Sequence, residues 1–160
     1  MSSDPVPRWC TFLVGDACFA VDSAAVIEVL RDRGLTRVPL AASGVLGLAH
    51  LRGRIVPVVD PAARLGVNRG GGKARTHLVV ALGDDWYGLL VDEMLDVIEI
   101  PPARIERPTA PGGAGDAVTG TFAAEQRLVH LLDPERMIHS LVRQAAHQVG
   151  RPGGTHGGLD

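Results

Sequence analysis

Residues able to make or break bonds are present in this chain, but not in the patterns that such chemistry needs. A phosphate-binding loop requires G-x-x-x-x-G-K-[ST], so that successive backbone N–H groups wrap the phosphates. The nearest stretch is Gly70-Gly71-Gly72-Lys73, yet position 67 is Val and position 74 is Ala, and the segment reads better as a flexible linker. No G-x-G-x-x-G dinucleotide fingerprint follows a strand. The histidines are His50, His77, His130, His139, His147 and His156. None forms an H-x-x-x-H pair and no Cys lies near one, so no metal is expected. Asp60 and Asp133 could be taken for a catalytic carboxylate pair. Each is followed by proline, however, and an Asp-Pro step suits a helix start, with Asp as cap and Pro at the first helical position. Asp84, Asp85, Asp92, Glu93 and Asp96 read as a solvated acidic face. Ser23, Ser43 and Ser140 lack a nucleophile-elbow setting. The chain is therefore expected to be non-enzymatic and without cofactors, and to act by binding.

The elements that must present such a surface are strands. The chain has 160 residues, 46% of them hydrophobic, and only three Phe, two Trp and one Tyr. Its core must be aliphatic, and one compact unit of ordinary size can form without staples. A formal charge of −2 argues against a nucleic-acid partner, which calls for a basic face. No apolar run approaches the roughly 20 residues of a membrane span. The opening MSSDPVPRW lacks the pattern of a signal peptide. Cys10 and Cys18 flank a turn at Gly15-Asp16 that sets Cys18 against Leu13, leaving Cys10 too far away for a disulfide. Reduced thiols in a cytoplasmic protein are expected.

The chain also repeats itself. GDACFAVDSAAVIEVL from Gly15 matches GDDWYGLLVDEMLDVI from Gly83 at an offset of 68. RIVPVVDPAARL from Arg54 matches RLVHLLDPERMI from Arg127 at an offset of 73, with Val45 and Gly47 falling on Val118 and Gly120. Three matches in the same order predict two similar lobes, with a first repeat over 9–65 and a second over 77–142. Each half alone would have a thin core. The pattern predicts strands over 9–14, 18–21, 25–31, 46–51 and 54–59, and again over 77–82, 86–91, 95–100, 118–122 and 128–132. A helix should start at Pro134 with Met137, Ile138, Leu141 and Val142 on one face, and end by Val149. Loops at 66–76 and 109–116 and the tail 150–160 are Gly-rich. Short strands at this spacing indicate small β-barrels.

Gly44 to Leu65, GVLGLAHLRGRIVPVVDPAARL, resembles the signature of the CheW family, which reads G-V-I-N-L-R-G-x-I-V-P-V-V-D-L-R. Phe12 to Val29, Arg37-Val38-Pro39, Gly88 to Ile100, Val118-Thr119-Gly120 and Val129 to Pro134 resemble other family segments, so the likeness covers about residues 9 to 142. His50 stands where the family has Asn. The resemblance implies two SH3-like five-stranded barrels within a domain of residues 9–149, and a monomeric, non-enzymatic adaptor. It implies coupling of chemoreceptor cytoplasmic tips to the regulatory domain of a CheA-type histidine kinase, in arrays on the inner face of the membrane. By residue, it implies that Arg52, Val26 and Glu28 face the receptor and that Val45, Gly47 and Leu48 face the kinase. Simpler roles stand beside these: Val26 as core, Gly47 as a bulge or close backbone approach, Arg52 as a solvated turn charge. A divergent adaptor of a non-chemotactic pathway, keeping one partner surface, is the alternative.

Overall fold

A computed structural model describes residues 5–31, 45–69, 76–107 and 117–139. Ten strands follow in order: β1 (Arg8–Val14), β2 (Ala17–Asp22), β3 (Val26–Arg31), β4 (Val45–Leu51), β5 (Arg54–Val59), β6 (Thr76–Leu82), β7 (Asp85–Val91), β8 (Glu93–Glu99), β9 (Val118–Ala123) and β10 (Leu128–Leu132). A helix occupies 134–139. Asp133 Oδ1 caps it, accepting from the N–H of Glu135 at 3.0 Å and of Arg136 at 3.4 Å. Asp60 makes the matching bond from the Ala62 N–H at 2.9 Å, but a turn follows it rather than a helix. Arg37-Val38-Pro39, the loop 109–116, Leu141, Val142, the helix end and the tail lie outside the described residues, as does most of 66–76.

The strands form two five-stranded sheets, β8-β1-β2-β10-β9 (sheet A) and β3-β6-β7-β5-β4 (sheet B). These are the two lobes expected from the repeat, but they are not the two halves of the sequence. Each repeat lends its opening hairpin to the other's sheet. Link length explains one of the two crossings. Only Asp92 separates β7 from β8, and a hairpin needs at least a two-residue turn to reverse the chain. The chain therefore runs on into the other sheet. β2 and β3 are joined by a single 3-10 turn, Ser23–Ala25, capped by Asp22; this link is long enough for a hairpin, yet here too the chain passes into the other sheet.

Strand alternation then builds three apolar layers. Phe12, Val14, Phe19 and Val21 of sheet A meet Leu78, Val80, Leu89 and Val91 of sheet B in a central layer, closed at one end by Met137 and Ile138. The opposite face of sheet A gathers Trp9, Cys18, Ala20, Ile98, Phe122, Val129 and Leu131. That of sheet B gathers Ile27, Leu30, Leu51, Val56, Val79 and Trp86. Residues from both edges of each sheet share one cluster, so each sheet curls into a barrel whose ladder is not closed among the described residues.

The strand pattern reads Val29 as core, so that Val29→Asp should unfold the first lobe, and reads His130, the repeat counterpart of Pro57, as an edge or rim residue; both expectations change. Val29 is 38% exposed on the edge strand β3. A charge there would not be buried, so Val29→Asp is not expected to unfold a lobe. His130 is not at a rim, because β10 is interior to sheet A, and its ring stacks on Phe19 at 5.4 Å. The thiols behave as read: Cys18 pairs in register with Leu13, and both cysteines are free and buried. Burial raises the pKa of each, with Asp22 adding to the effect at Cys10 and Arg127 opposing it at Cys18. Both are packing residues.

Trp9 Nε1 and His77 Nδ1, which correspond at the offset of 68, are buried without a hydrogen-bond partner. His77 is 3% exposed, and burial depresses its pKa. It is thus neutral in the fold, whereas the unfolded chain takes up a proton near the usual imidazole value of about 6.5. Stability from this group is full above that pH and falls as pH drops through it toward the folded value, by at most about 1.4 kcal/mol per pH unit. Urea midpoints measured from pH 8 to 5 should decline for the parent chain and flatten in His77→Leu.

Candidate functional site

The site begins in the turn between β4 and β5. Leu51 pairs with Arg54, leaving Arg52 and Gly53 as the two central residues, with φ of 52° and 76°. Two positive φ values define the mirror-image turn whose twist matches a tight hairpin. Arg52 is the single non-glycine residue with positive φ among those described, a conformation that costs an L-residue roughly 1–2 kcal/mol. Gly at this position would avoid that cost.

The side chain reaches across the open seam of sheet B. β3 and β4 are opposite edges of that sheet, yet Arg52 Nη2 donates to Glu28 Oε1 at 2.7 Å. Two of the three receptor-side residues expected from the sequence thus form one ion pair. The third, Val26, starts the same strand β3 and is half-buried against the central layer, so it also serves the core. The Arg52 side chain is 63% exposed, and such a pair is worth about 1 kcal/mol at most. Its partners can be exchanged for those of an incoming protein at little expense. Arg52→Gly should therefore raise stability by roughly 0.5–1 kcal/mol, measured by urea unfolding.

Val45, Gly47 and Leu48 lie on β4, at the edge of sheet B. The register with β5 slips between Val45 and Gly47, the bulge that the glycine suggested. The equivalent strand in sheet A has an extended segment laid along its edge. There Glu106 and Thr121 exchange backbone hydrogen bonds at 2.9 and 2.8 Å. A Cβ on Gly120 would come within 2.6 Å of Ile105 Cγ2. An edge of this type can accept chain. Five of the six expected contact residues lie on strands of sheet B and Arg52 lies in the turn joining two of them; none lies on sheet A.

Two features were not legible in the sequence. Arg69, within the stretch read as linker, is only 12% exposed in its side chain and joins distant elements. It donates to Asp60 Oδ1 at 2.7 Å, Asp92 Oδ2 at 2.6 Å and the Leu90 carbonyl at 2.6 Å. Asp92 Oδ2 also accepts the Gly15 N–H at 2.6 Å, so Asp92 is not part of a solvated face. The second feature is a cleft of about 440 Å³ beside the Arg52 turn, lined by Arg54, Ile55, Pro57, Asp85, Trp86 and Tyr87 among others. No sequence signal marks either, since their parts come from different elements. Among the described residues no group of His, Cys, Asp and Glu can hold a metal. No helix there is long and apolar enough to cross a membrane.

Two curled sheets, a polar seam and strand edges that are unpaired among the described residues suit a docking scaffold. The CheW-like domain family matches residues 8–142, and the chain belongs to that family of scaffold and adaptor proteins. It is 35% identical to the chemotaxis protein CheW of Rhizobium meliloti, over 84% of this chain and 89% of that one. It is 30% identical to Protein FrzA of Myxococcus xanthus, over 88% and 91%. The crystal structure of the scaffolding protein TtCheW from Thermoanaerobacter tengcongensis superposes with a TM-score of 0.73 at 26% identity, covering 81% of this chain and 90% of that one.

Proposed function

We propose that this chain is a non-enzymatic adaptor that couples chemoreceptor cytoplasmic tips to the regulatory domain of a CheA-type histidine kinase. The observation that carries this reading is the Arg52–Glu28 pair. An arginine occupies a turn position where glycine is favoured, and its guanidinium spans the seam between β3 and β4. A guanidinium so placed offers bidentate hydrogen bonds to a partner's carboxylate or backbone, and the seam beside Val26 can meet a helix face. The edge strand β4, with Val45, Gly47 and Leu48, serves the kinase. The protein works in the cytoplasm, at receptor arrays beneath the membrane, as a monomer that gains avidity from many weak contacts.

The test is co-sedimentation with receptor tips and kinase, with kinase activity as output. Arg52→Glu sets a carboxylate against Glu28 and the partner. It should weaken receptor binding at least tenfold while changing stability by about 0.5 kcal/mol or less. Unchanged binding by this variant refutes the receptor site. One second reading, an adaptor of a non-chemotactic pathway that keeps a single partner surface, is compatible with the likeness to FrzA, a relative whose name does not call it a chemotaxis protein. Separate pull-downs against a receptor tip and a kinase regulatory domain distinguish the two.

A further inference from the structure

The parallel ladders of the two sheets are offset: sheet B adds Val59–Leu89, whose counterpart Leu132–Val21 is unpaired in sheet A, and lacks two pairs that sheet A has. In sheet A the parallel strands β10 and β2 pair through Val129–Cys18, His130–Phe19 and Leu131–Ala20. In sheet B the parallel strands β5 and β7 pair only through Val58–Gly88 and Val59–Leu89. At the offsets of 73 and 68, the missing pairs are Val56–Trp86 and Pro57–Tyr87. His130 in sheet A has an N–H to give to a ladder, and Pro57 in sheet B has none. The strands of sheet B therefore part where those of sheet A stay zipped, and the gap between them is the cleft of about 440 Å³.

The walls of the cleft suit one kind of group. On the facing sides, Ile55 of β5 and Trp86 of β7 have no partner in the β5–β7 ladder. Asp84 and Asp85 are exposed at the mouth, and no hydrogen bond or ion pair engages their carboxylates among the described residues. Arg54 provides an internal precedent. Its guanidinium lies 4.3 Å from the Trp86 ring centroid, and Nη2 donates to the Asp84 carbonyl at 2.6 Å. Two carboxylates against that one guanidinium leave the mouth acidic. Ile55, 61% exposed, supplies an apolar flank for an aliphatic stem.

We propose that this unzipped cleft receives an arginine side chain from a protein partner. A guanidinium is planar, so it stacks on Trp86 beside Arg54. It is also a donor-only fork, matched to carbonyl and carboxylate acceptors. Lysine offers a point charge without the plane. The cleft starts one residue beyond Arg52 and so extends the docking surface proposed above. It rests on that reading only for the statement that the arginine belongs to a partner protein.

The test is a nitrogen–proton correlation titration of the full chain with acetyl-Gly-Arg-Gly-amide, and with the Lys and Leu counterparts. The arginine peptide should produce saturable shifts at the Trp86 indole N–H and the Ile55 and Tyr87 amides. It should bind at least fivefold tighter than the lysine peptide, and the leucine peptide should not bind. Asp84→Asn with Asp85→Asn, at exposed positions, should weaken binding at least fivefold. Pro57→Val restores the missing N–H, so β5 can zip to β7. The Trp86 amide, which faces β5, should then exchange more slowly, and affinity should fall at least fivefold. Absent shifts, equal affinity for the arginine and lysine or leucine peptides, or full binding by both variants would overturn the proposal. Loss of peptide binding with intact receptor and kinase co-sedimentation would sink the cleft alone.

Discussion

Arg69→Ala is expected to remove about 3 kcal/mol of unfolding free energy, read as a lowered urea midpoint. The guanidinium sits at 12% side-chain exposure between the carboxylates of Asp60 and Asp92, themselves at 28% and 23%. Its removal leaves two partly buried anions facing each other, with the Leu90 carbonyl also losing its donor. Breaking a buried pair costs about 3–5 kcal/mol. The low end applies because solvent still reaches part of each carboxylate. Arg69→Lys should recover less than half, since one ammonium cannot present a rigid fork to three separate acceptors. The triple variant Arg69→Met, Asp60→Asn, Asp92→Asn should recover most of the loss, because it removes the charges together with their partner. Equal destabilisation by the triple variant and by Arg69→Ala would mean that packing, rather than charge pairing, governs the node.

Gly15→Ala is expected to cost about 2–4 kcal/mol, while Gly83→Ala at the equivalent repeat position should cost only about 1–2. The two glycines turn their hairpins with nearly the same φ, 61° and 63°, so the left-handed backbone penalty is shared. They differ in what surrounds them. A Cβ on Gly15 would lie 2.6 Å from Val67 Cγ1 and 2.8 Å from the Asn68 carbonyl oxygen, whereas at Gly83 nothing lies within 4 Å. The difference between the two variants, measured by urea unfolding, reports how firmly the 60–69 segment of one lobe is seated on the first hairpin of the other. Equal costs would mean that the segment yields freely.

Both effects arise where the sheets meet, and this is where sequence reading failed. Asp92 is one acid among five in its neighbourhood, and Arg69 lies within a stretch that reads as linker. Their pairing spans 23 residues, with no periodicity to mark it. Val29 was misjudged for a related reason. Its alternation along β3 is that of a strand, but β3 is an edge, and edge status depends on which strands fail to pair. The Arg52–Glu28 contact was half legible. Both residues were singled out through family likeness, but their meeting at 2.7 Å required the sheet to curl.

By itself the sequence determined the local structure and the class of protein. Strand positions follow from period-two alternation, hairpins from Gly-Asp and Arg-Gly turns, and the helix start from Asp133-Pro134. The repeat and the L-R-G-x-I-V-P-V-V-D run identified the family. These features act over a few residues, so each can be read where it is written. Only the tertiary structure decided which strands share a sheet, which edges stay open, where Arg69 closes the lobes together, and why β5 and β7 part at Pro57. Two repeats with nearly the same strand pattern leave the choice of pairing partner degenerate. That degeneracy is lifted by link lengths and long-range packing, which no local pattern encodes.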